Sequence, residues 1–377
     1  MCLSGPALAS HRGASSSYVS PQAVASKPTA RRQPILRPLA LHLPKAQYSE
    51  RGPAHIGVPI LKDFFHGAYM VLVAGSANLD FVVRAQRIPA PGETVLGRDL
   101  QTFAGGKGAN QAVACARAGG APTGMALALG RDAYAQPLKA SLQNAGVVLH
   151  AQEFDDIASG TAFICVSDDA ENAITVAPGA NARLLPEHLP PLAGYRFLLM
   201  QLEIPLGTVI ESARLARTAG LQVALNAAPA QALPQELLTL VDLLIVNEGE
   251  LRAIVTGEGS IVEAMGQLPC QTVVVTLGAR GAVAREGKAL HYQCGFAVQA
   301  VDTTGAGDTF CGVLIAQLAA GQAMVQALQF SGAAAALCCT KPGAQSSVPD
   351  NSEVRTFLAG RSAHDTSALQ SYCMAST

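Results

Sequence analysis

The sequence predicts an α/β protein, a three-layer α/β/α sandwich with a mostly parallel central sheet and a small β-sheet lid. Three observations lead there. Short apolar runs recur at 71–74, 197–200, 223–225, 243–246 and 273–276, each with the length and composition of a buried strand. Helix-like stretches such as 206–218 and 261–267 lie between them, and strands alternating with helices build a parallel sheet covered on both faces. Two regions, 81–103 and 147–177, break the alternation with short extended segments, residues 161–166 being the clearest, and read as the lid.

At 377 residues the chain is long enough for one large domain with an appended lid. Hydrophobic content of 49% against 14% charged residues excludes a disordered chain as a whole. A formal net charge of −1 leaves no basic field to grip nucleic acid, so no nucleic-acid partner is expected. No unbroken apolar run reaches the roughly 18 residues a membrane span needs, so no membrane partner is expected either. Residues 1–66 stand apart. They carry eight Lys/Arg against two Asp/Glu, leaving eighteen against twenty-five in the rest, and their first acid is Glu50. Their Ser, Ala, Pro and Arg content suits either an organelle transit peptide or a disordered extension; the prolines favour the extension. The folded domain is expected over 67–360, with 361–377 a C-terminal tail. The nine cysteines are odd in number and scattered, with no CxxC pair. They read as reduced core thiols of a cytosol-like compartment. A cytoplasmic protein is expected, or a mitochondrial or plastid one if residues 1–66 are a transit peptide.

In a parallel sheet, ligands sit beyond the carboxyl ends of the strands, so the motifs after each run carry the chemistry. The first strand leads into Gly75-Ser76-Ala77-Asn78-Leu79-Asp80. Asn78 and Asp80 share one face of extended backbone, and an amide beside a carboxylate suits vicinal hydroxyls; a plain turn is the alternative. The absence of GxGxxG here argues against a dinucleotide-dependent oxidoreductase. Next, Gly105-Gly106-Lys107-Gly108 feeds a helix marked by Ala109, Ala112, Val113 and Ala116. No Ser or Thr follows Lys107 as a Walker loop requires, and a solvated lysine is the plainer alternative. Gln201-Leu202-Glu203 and Asn247-Glu248-Gly249-Glu250 each end a strand. They suit a sugar hydroxyl or hydrated Mg²⁺, or they cap helices.

The strongest motif is Asp302-Thr303-Thr304-Gly305-Ala306-Gly307-Asp308-Thr309-Phe310. Phe310, Val313, Leu314 and Leu318 then recur at helical spacing up to Gly321, so the glycines form a helix entrance. Free N–H groups and the helix dipole there attract phosphate, and Gly305 and Gly307 let an anion approach the backbone. Asp308 is either the base that takes a proton from a sugar hydroxyl or a helix-capping carboxylate.

From about residue 70 to 358 the chain resembles the ribokinase-like carbohydrate kinase family. The resemblance rests on GGKGANQAVACARAGG, on DTTGAGDTF and on Lys341-Pro342-Gly343-Ala344-Gln345-Ser346-Ser347-Val348-Pro349, in the correct order. It implies that family's fold and an ATP-dependent sugar kinase with Asp308 as base and Gly305, Ala306 and Gly307 as anion hole. It implies ribose contacts at Asn78, Leu79, Asp80, Gly106, Lys107, Gly108, Ala109, Asn110 and Glu203. For ATP it implies Asn247, the loop Thr276-Leu277-Gly278-Ala279-Arg280-Gly281, and Gly332, together with Gly307 and Asp308. Glu250 would serve Mg²⁺ through water. A monovalent cation, K⁺, would be held by Asp302, Thr304, Cys338, Lys341, Gly343 and Ser347, several through carbonyls. A homodimer through the lid is also implied.

The chain departs from the family pattern at Gly249, at Ala227 after Asn226, and at Gly332, where a larger polar residue is common. These put nucleotide affinity in question. The expected activity is transfer of phosphate from ATP to the 5-hydroxyl of D-ribose, giving D-ribose 5-phosphate and ADP. The alternatives are another sugar or a nucleoside as substrate (fructose, deoxyribose, adenosine), or a silent sugar-binding protein. With no Trp and 5% aromatics, few surfaces exist to stack a base, which favours a small polyol.

Overall fold

The computed structural model describes residues 70–169, 171–361 and 365–375; the expectations for residues 1–66 lie outside them. Among the described residues no helix is long and apolar enough to cross a membrane. The chain runs β1 (Met70–Ala74), β2 (Asn78–Ala85), β3 (Gly97–Gly105), α1 (Lys107–Arg117), β4 (Thr123–Gly130), α2 (Ala135–Asn144), β5 (Val148–Phe154), β6 (Gly160–Val166) and β7 (Asn172–Ala177). It continues through β8 (Tyr195–Met200), α3 (Leu206–Thr218), β9 (Gln222–Asn226), α4 (Gln235–Leu240), β10 (Leu243–Asn247), α5 (Glu248–Ile254), α6 (Ile261–Gly266) and β11 (Thr272–Thr276). The last elements are β12 (Gly281–Glu286), β13 (Ala289–Cys294), α7 (Ala306–Ala319), α8 (Met324–Cys338), α9 (Asn351–Ala359) and α10 (Ser367–Met374).

Nine strands form one sheet in the order β13-β12-β11-β10-β9-β8-β1-β4-β5. The seven from β11 to β5 are parallel, and β12 and β13 add an antiparallel edge. The all-apolar runs form the central strands because both sheet faces are covered. Alternation then divides the core. Val71 and Val73 pack into one layer with α1, α7 and α8, while Leu72 and Ala74 pack into the other with α3 and α6. All four are fully buried, and each Val or Leu so buried stabilises by about 1.5–3 kcal/mol.

The lid is a four-stranded sheet in the order β3-β2-β6-β7. It starts at Asn78 and ends at Gly105, slightly wider than the expected 81–103. The second expected lid segment, 147–177, divides. Residues 160–166 and 172–177 join the lid, but β5 pairs in parallel with β4 at the edge of the large sheet, Gly124 opposite Val148. As an edge strand it is only half-buried, so it lacks the continuous apolar run of its neighbours. The presumed tail is likewise not featureless, because α10 buries Leu369 and Cys373 in the α3–α6 layer.

Helices α1 and α7 approach closely, and Gly312 is what allows it. A Cβ there would run into Gln111 O and stand 2.8 Å from Ala114 Cβ, and the Cys115 thiol donates to Gly312 O at 3.0 Å. Gly312→Ala is expected to push the helices apart and destabilise by about 1–3 kcal/mol, as overpacking does. Denaturant unfolding of the variant beside the parent checks this; an unchanged midpoint would show that α1 yields without cost.

Candidate active site

The carboxyl ends of β1, β8, β9, β10 and β11 deliver Gly75–Ser76, Gln201–Glu203, Asn226, Asn247 and Thr276 to one rim of the sheet, and the α1 and α7 N-termini meet the same rim. Gly305 caps α7 in the left-handed region at φ 75°, where glycine costs least. A Cβ on Gly305 would stand 2.9 Å from Ala344 Cα, whereas one on Gly307 would meet nothing within 4 Å. Gly307 thus borders open space that a ligand could occupy, while Gly305 serves the turn. Ala306 N–H donates back to Thr303 O at 3.2 Å. Of the anion-hole residues, Gly307 and the following Asp308 are the ones whose first-turn amides helix geometry leaves over.

Asp308 sits in that first turn with both oxygens engaged. Asn110 Nδ2 donates to Oδ2 and Gln111 Nε2 to Oδ1, each at 2.9 Å. The amides are themselves held. Asn110 Oδ1 accepts from Gln345 Nε2 at 3.1 Å, and Gln345 Oε1 accepts from Ser141 at 2.6 Å. Gln111 Oε1 accepts from Gln201 at 2.6 Å, and Gln111 Nε2 also donates to Asn226 Oδ1 at 2.9 Å. Flipping Gln111 would set its oxygen against Asp308 and Asn226 together, so the network fixes which atom faces the acid. Each carboxylate oxygen keeps a second lone pair for a proton donor. Gln201 Oε1 is buried and unpartnered beside Gly75.

Around Asp308 lie Lys107, Asp80, Glu203 and Glu250. Glu203 Oε2 accepts from Ser76 Oγ at 2.6 Å and from Lys107 N at 3.0 Å, which ties β8 to the start of α1. The nearby Asp308, Glu203 and Glu250 charges raise the Lys107 ammonium above its ordinary value against the opposing effect of burial. Burial, then the charges of Glu203 and Asp308, push the Asp80 carboxyl up to about 7. Burial is also what raises Glu250, with its cap bond and Lys107 opposing. Asn78 is buried, and its Oδ1 accepts from Asn181 Nδ2 at 2.7 Å.

Several residues of the expected sugar set are also closely packed. Leu79 alternates to the face opposite Asn78 and Asp80 and joins the core. Gly108 lies against the β1 turn, where a Cβ would stand 2.6 Å from Gly75 C and Ser76 N. Ala109 is buried and its N–H donates to Ser76 O at 2.8 Å. Gly106, at φ 89°, lies under Ala77 and Asn78, where a Cβ would stand 2.8 Å from Ala77 Cα and Asn78 N. The side chains left to reach a sugar are Asn78, Asp80, Lys107, Asn110 and Glu203.

On the nucleotide side, Asn247 and Glu250 form a reciprocal cap at the start of α5. Asn247 Oδ1 accepts from Glu250 N, and Glu250 Oε2 from Asn247 N, both at 2.8 Å. The capping reading of that motif therefore holds for the backbone, with Glu250 Oε1 outside the cap. The loop from Thr276 to Gly281 turns on the positive φ of Gly278 and Gly281, with Leu277 N–H donating to Gly281 O at 2.8 Å. Gly332 faces the Phe296 ring and Gln293, where a Cβ would make ordinary contact at 3.5 Å and 3.8 Å.

The expected cation residues gather around the loop before α7. Asp302 Oδ1 accepts from Thr304 N at 2.9 Å and Oδ2 from Gly343 N at 2.8 Å, joining the two loops. Cys338 Sγ stands 2.9 Å from Ser347 Oγ, and 3.8 Å from Thr304 O. The Lys341 ammonium donates to Glu353 at 2.9 Å, which leaves its backbone as the part that faces this set. Sequence reasoning missed Gln111, Ser76, Asn181 and Gln345 as working groups. Gln111 follows Asn110 in the α1 motif and could have been found by asking what faces the acid of a second glycine-rich helix start. Asn181 and Gln345 carry no local signal, because their partners are more than a hundred residues away.

With this geometry in place, comparison is informative. The profile of the pfkB family carbohydrate kinases matches residues 68–351. A ribokinase of Haemophilus influenzae is 40% identical over 299 residues, covering 76% of this chain and 97% of the relative. The Arabidopsis thaliana ribokinase structure complexed with ribose and ATP superposes with a TM-score of 0.71 at 34% identity, covering 77% of this chain and 99% of that one. A Thermotoga maritima ribokinase structure gives the same TM-score at 33% identity and the same coverage.

Asp80 gives this site a pH signature. Its carboxyl titrates at about 7 when folded and near 3.8 when unfolded. Between those values the folded chain holds the extra proton, so stability falls as pH rises through that window. Asp80→Asn, which cannot ionise, is expected to be more stable than the parent at pH 8 by on the order of 1–3 kcal/mol, and to lose most of this advantage by about pH 4. Thermal melting of the ligand-free pair at both pH values checks it; equal gains at the two would contradict the assignment.

Proposed function

The chain belongs to the pfkB family of carbohydrate kinases, and we propose that it transfers the terminal phosphate of ATP to the 5-hydroxyl of D-ribose. The observation that carries this is Asp308, held through both oxygens in the first turn of α7 beside the open approach at Gly307. The sugar lies over Asn78, Asp80, Asn110 and Glu203, where carboxylates and amides match a row of hydroxyls. A sugar hydroxyl that donates to Asp80 is held more strongly by its ionised form, so binding opposes the proton retention that burial favours. Asp308 takes the proton of the 5-hydroxyl as that oxygen attacks the γ-phosphorus, and the bond to the ADP oxygen breaks. The amides of Gly307 and Asp308, with Lys107, offset charge on the phosphoryl oxygens.

The donor sets suit the ions the family implies. Glu250 Oε1 would hold water of a hydrated Mg²⁺, which supplies charge neutralisation at the phosphates. Asp302 with the surrounding backbone carbonyls and Ser347 makes an oxygen-rich set that suits K⁺. Its effect would reach catalysis through the loop that ends at Gly305.

We also read the lid as the dimer contact. Register places Asp80 opposite Ala162 and Val176, and Val82 opposite Ile164, itself opposite Ile174. The sugar-facing side of the lid thus runs outward into an apolar strip, with Ile174 55% and Val176 42% exposed. A second copy's lid would cover it. Ile174→Asp is expected to shift the protein from dimer to monomer in sedimentation equilibrium; a parent that is already monomeric would contradict the reading.

The catalytic proposal is tested by an ATP-coupled assay across ribose, deoxyribose, fructose and adenosine, with and without K⁺. Turnover is expected to be greatest on ribose and raised by K⁺. Asp308→Asn is expected to cut turnover by at least ~10²-fold with little change in ribose affinity. Near-parental turnover in that variant would show that another group takes the proton.

A further inference from the structure

The matched family region ends at residue 351, and α10 begins at Ser367. This last helix lies against the part of the fold assigned above to the nucleotide. Its anchors are internal: Leu369 is 4% exposed and Cys373 is fully buried, and the Cys294 thiol donates to Asp365 O at 3.3 Å just ahead of the helix. From this anchored helix Tyr372 reaches two loops at once. Its hydroxyl donates to Glu248 Oε1 at 2.7 Å, and the Arg280 guanidinium lies over its ring, 4.2 Å from the centroid. Arg280 Nη1 in turn stands 3.7 Å from Glu248 Oε2.

Glu248 follows Asn247 at the end of β10, and Arg280 precedes Gly281 in the loop after β11. These strands are neighbours in the sheet. A single aromatic side chain from outside the matched family region therefore joins both loops that carry the nucleotide assignment. We propose that Tyr372 is a positioning residue for nucleotide binding, with α10 a clamp that fixes Arg280 of the loop from Thr276 to Gly281 before the nucleotide arrives. The inference rests on the nucleotide reading of that loop.

The physical argument is preorganisation. Arg280 and Glu248 are long side chains, the one on the loop after β11 and the other on the first residue of α5, with side-chain exposures of 56% and 29%. Without a partner they would be ordered only on binding, at a cost taken from affinity. Ring stacking and a hydrogen bond to a carboxylate hold them in one arrangement beforehand. The loop backbone turns on the glycines at 278 and 281 and is closed by Leu277 N–H to Gly281 O at 2.8 Å and Arg280 N–H to Leu277 O at 3.1 Å, so what the clamp adds is a fixed position for the Arg280 side chain. The clamp touches neither Asp308 nor the sugar side, so its removal should act on nucleotide affinity alone.

The test is calorimetric titration of the full chain with MgADP, alongside steady-state kinetics. Tyr372→Ala is expected to weaken ADP binding and raise the ATP KM about 3- to 10-fold, with kcat and ribose KM within twofold of the parent. Tyr372→Phe keeps the ring over Arg280 and loses the bond to Glu248, and is expected to fall between. ADP affinity unchanged in Tyr372→Ala would overturn the clamp while leaving the nucleotide reading intact. A parallel decline of ADP affinity, ribose KM, kcat and melting temperature would also overturn it, since that is the mark of a merely structural helix. Failure of the parent to bind ADP would overturn the loop assignment and the clamp together.

Discussion

The structure depends on one contact, the apposition of two helix starts at which α1 hands a pair of amide N–H groups to the carboxylate of α7. Gly312 and Cys115 let the helices approach, and Asn110 and Gln111 use that closeness to hold Asp308 by both oxygens. Everything behind the contact serves to keep it. β1 and β8 deliver Ser76, Gln201 and Glu203 to the N-terminal end of α1, and Gln345 reaches in from the loop beyond α8. A carboxylate meant to receive a proton has to be held still without being covered, and amide donors from one side achieve that.

The second organising feature is charge crowding. Asp80, Glu203, Glu250 and Asp308 share a small partly buried volume with Lys107, and burial acts against the ionised form of Asp80 and Glu250. Such an arrangement costs stability in the empty protein. The same lid strand that carries Asp80 continues into an apolar strip. Closing the site and pairing with a second subunit would therefore draw on the same element.

Much of this was legible in the sequence, for identifiable reasons. The five apolar runs became adjacent central strands because strands buried on both faces need no polar alternation. Residues 206–218 became α3 within the expected bounds. Asn78 and Asp80 share a face because β2 is extended. What stayed hidden was non-local. β5 is an edge strand whose half-exposed pattern resembles a lid segment. Leu79, Gly106, Gly108 and Ala109 are closely packed inside the family motif, a constraint the motif itself does not reveal. The residues that hold the two amides facing Asp308, Gln201, Asn226 and Gln345, come from distant parts of the chain, and α10 falls beyond the last family motif.

The central claim, that Gln111 acts through Asp308, is tested most directly by a double-mutant cycle on kcat for ribose phosphorylation, using Gln111→Leu, Asp308→Asn and the pair. The account predicts that Gln111→Leu lowers kcat when Asp308 is present and has almost no further effect once Asp308 is replaced. Independent, multiplying losses in the two backgrounds would contradict it, and would mean that Gln111 and Asp308 serve separate ends.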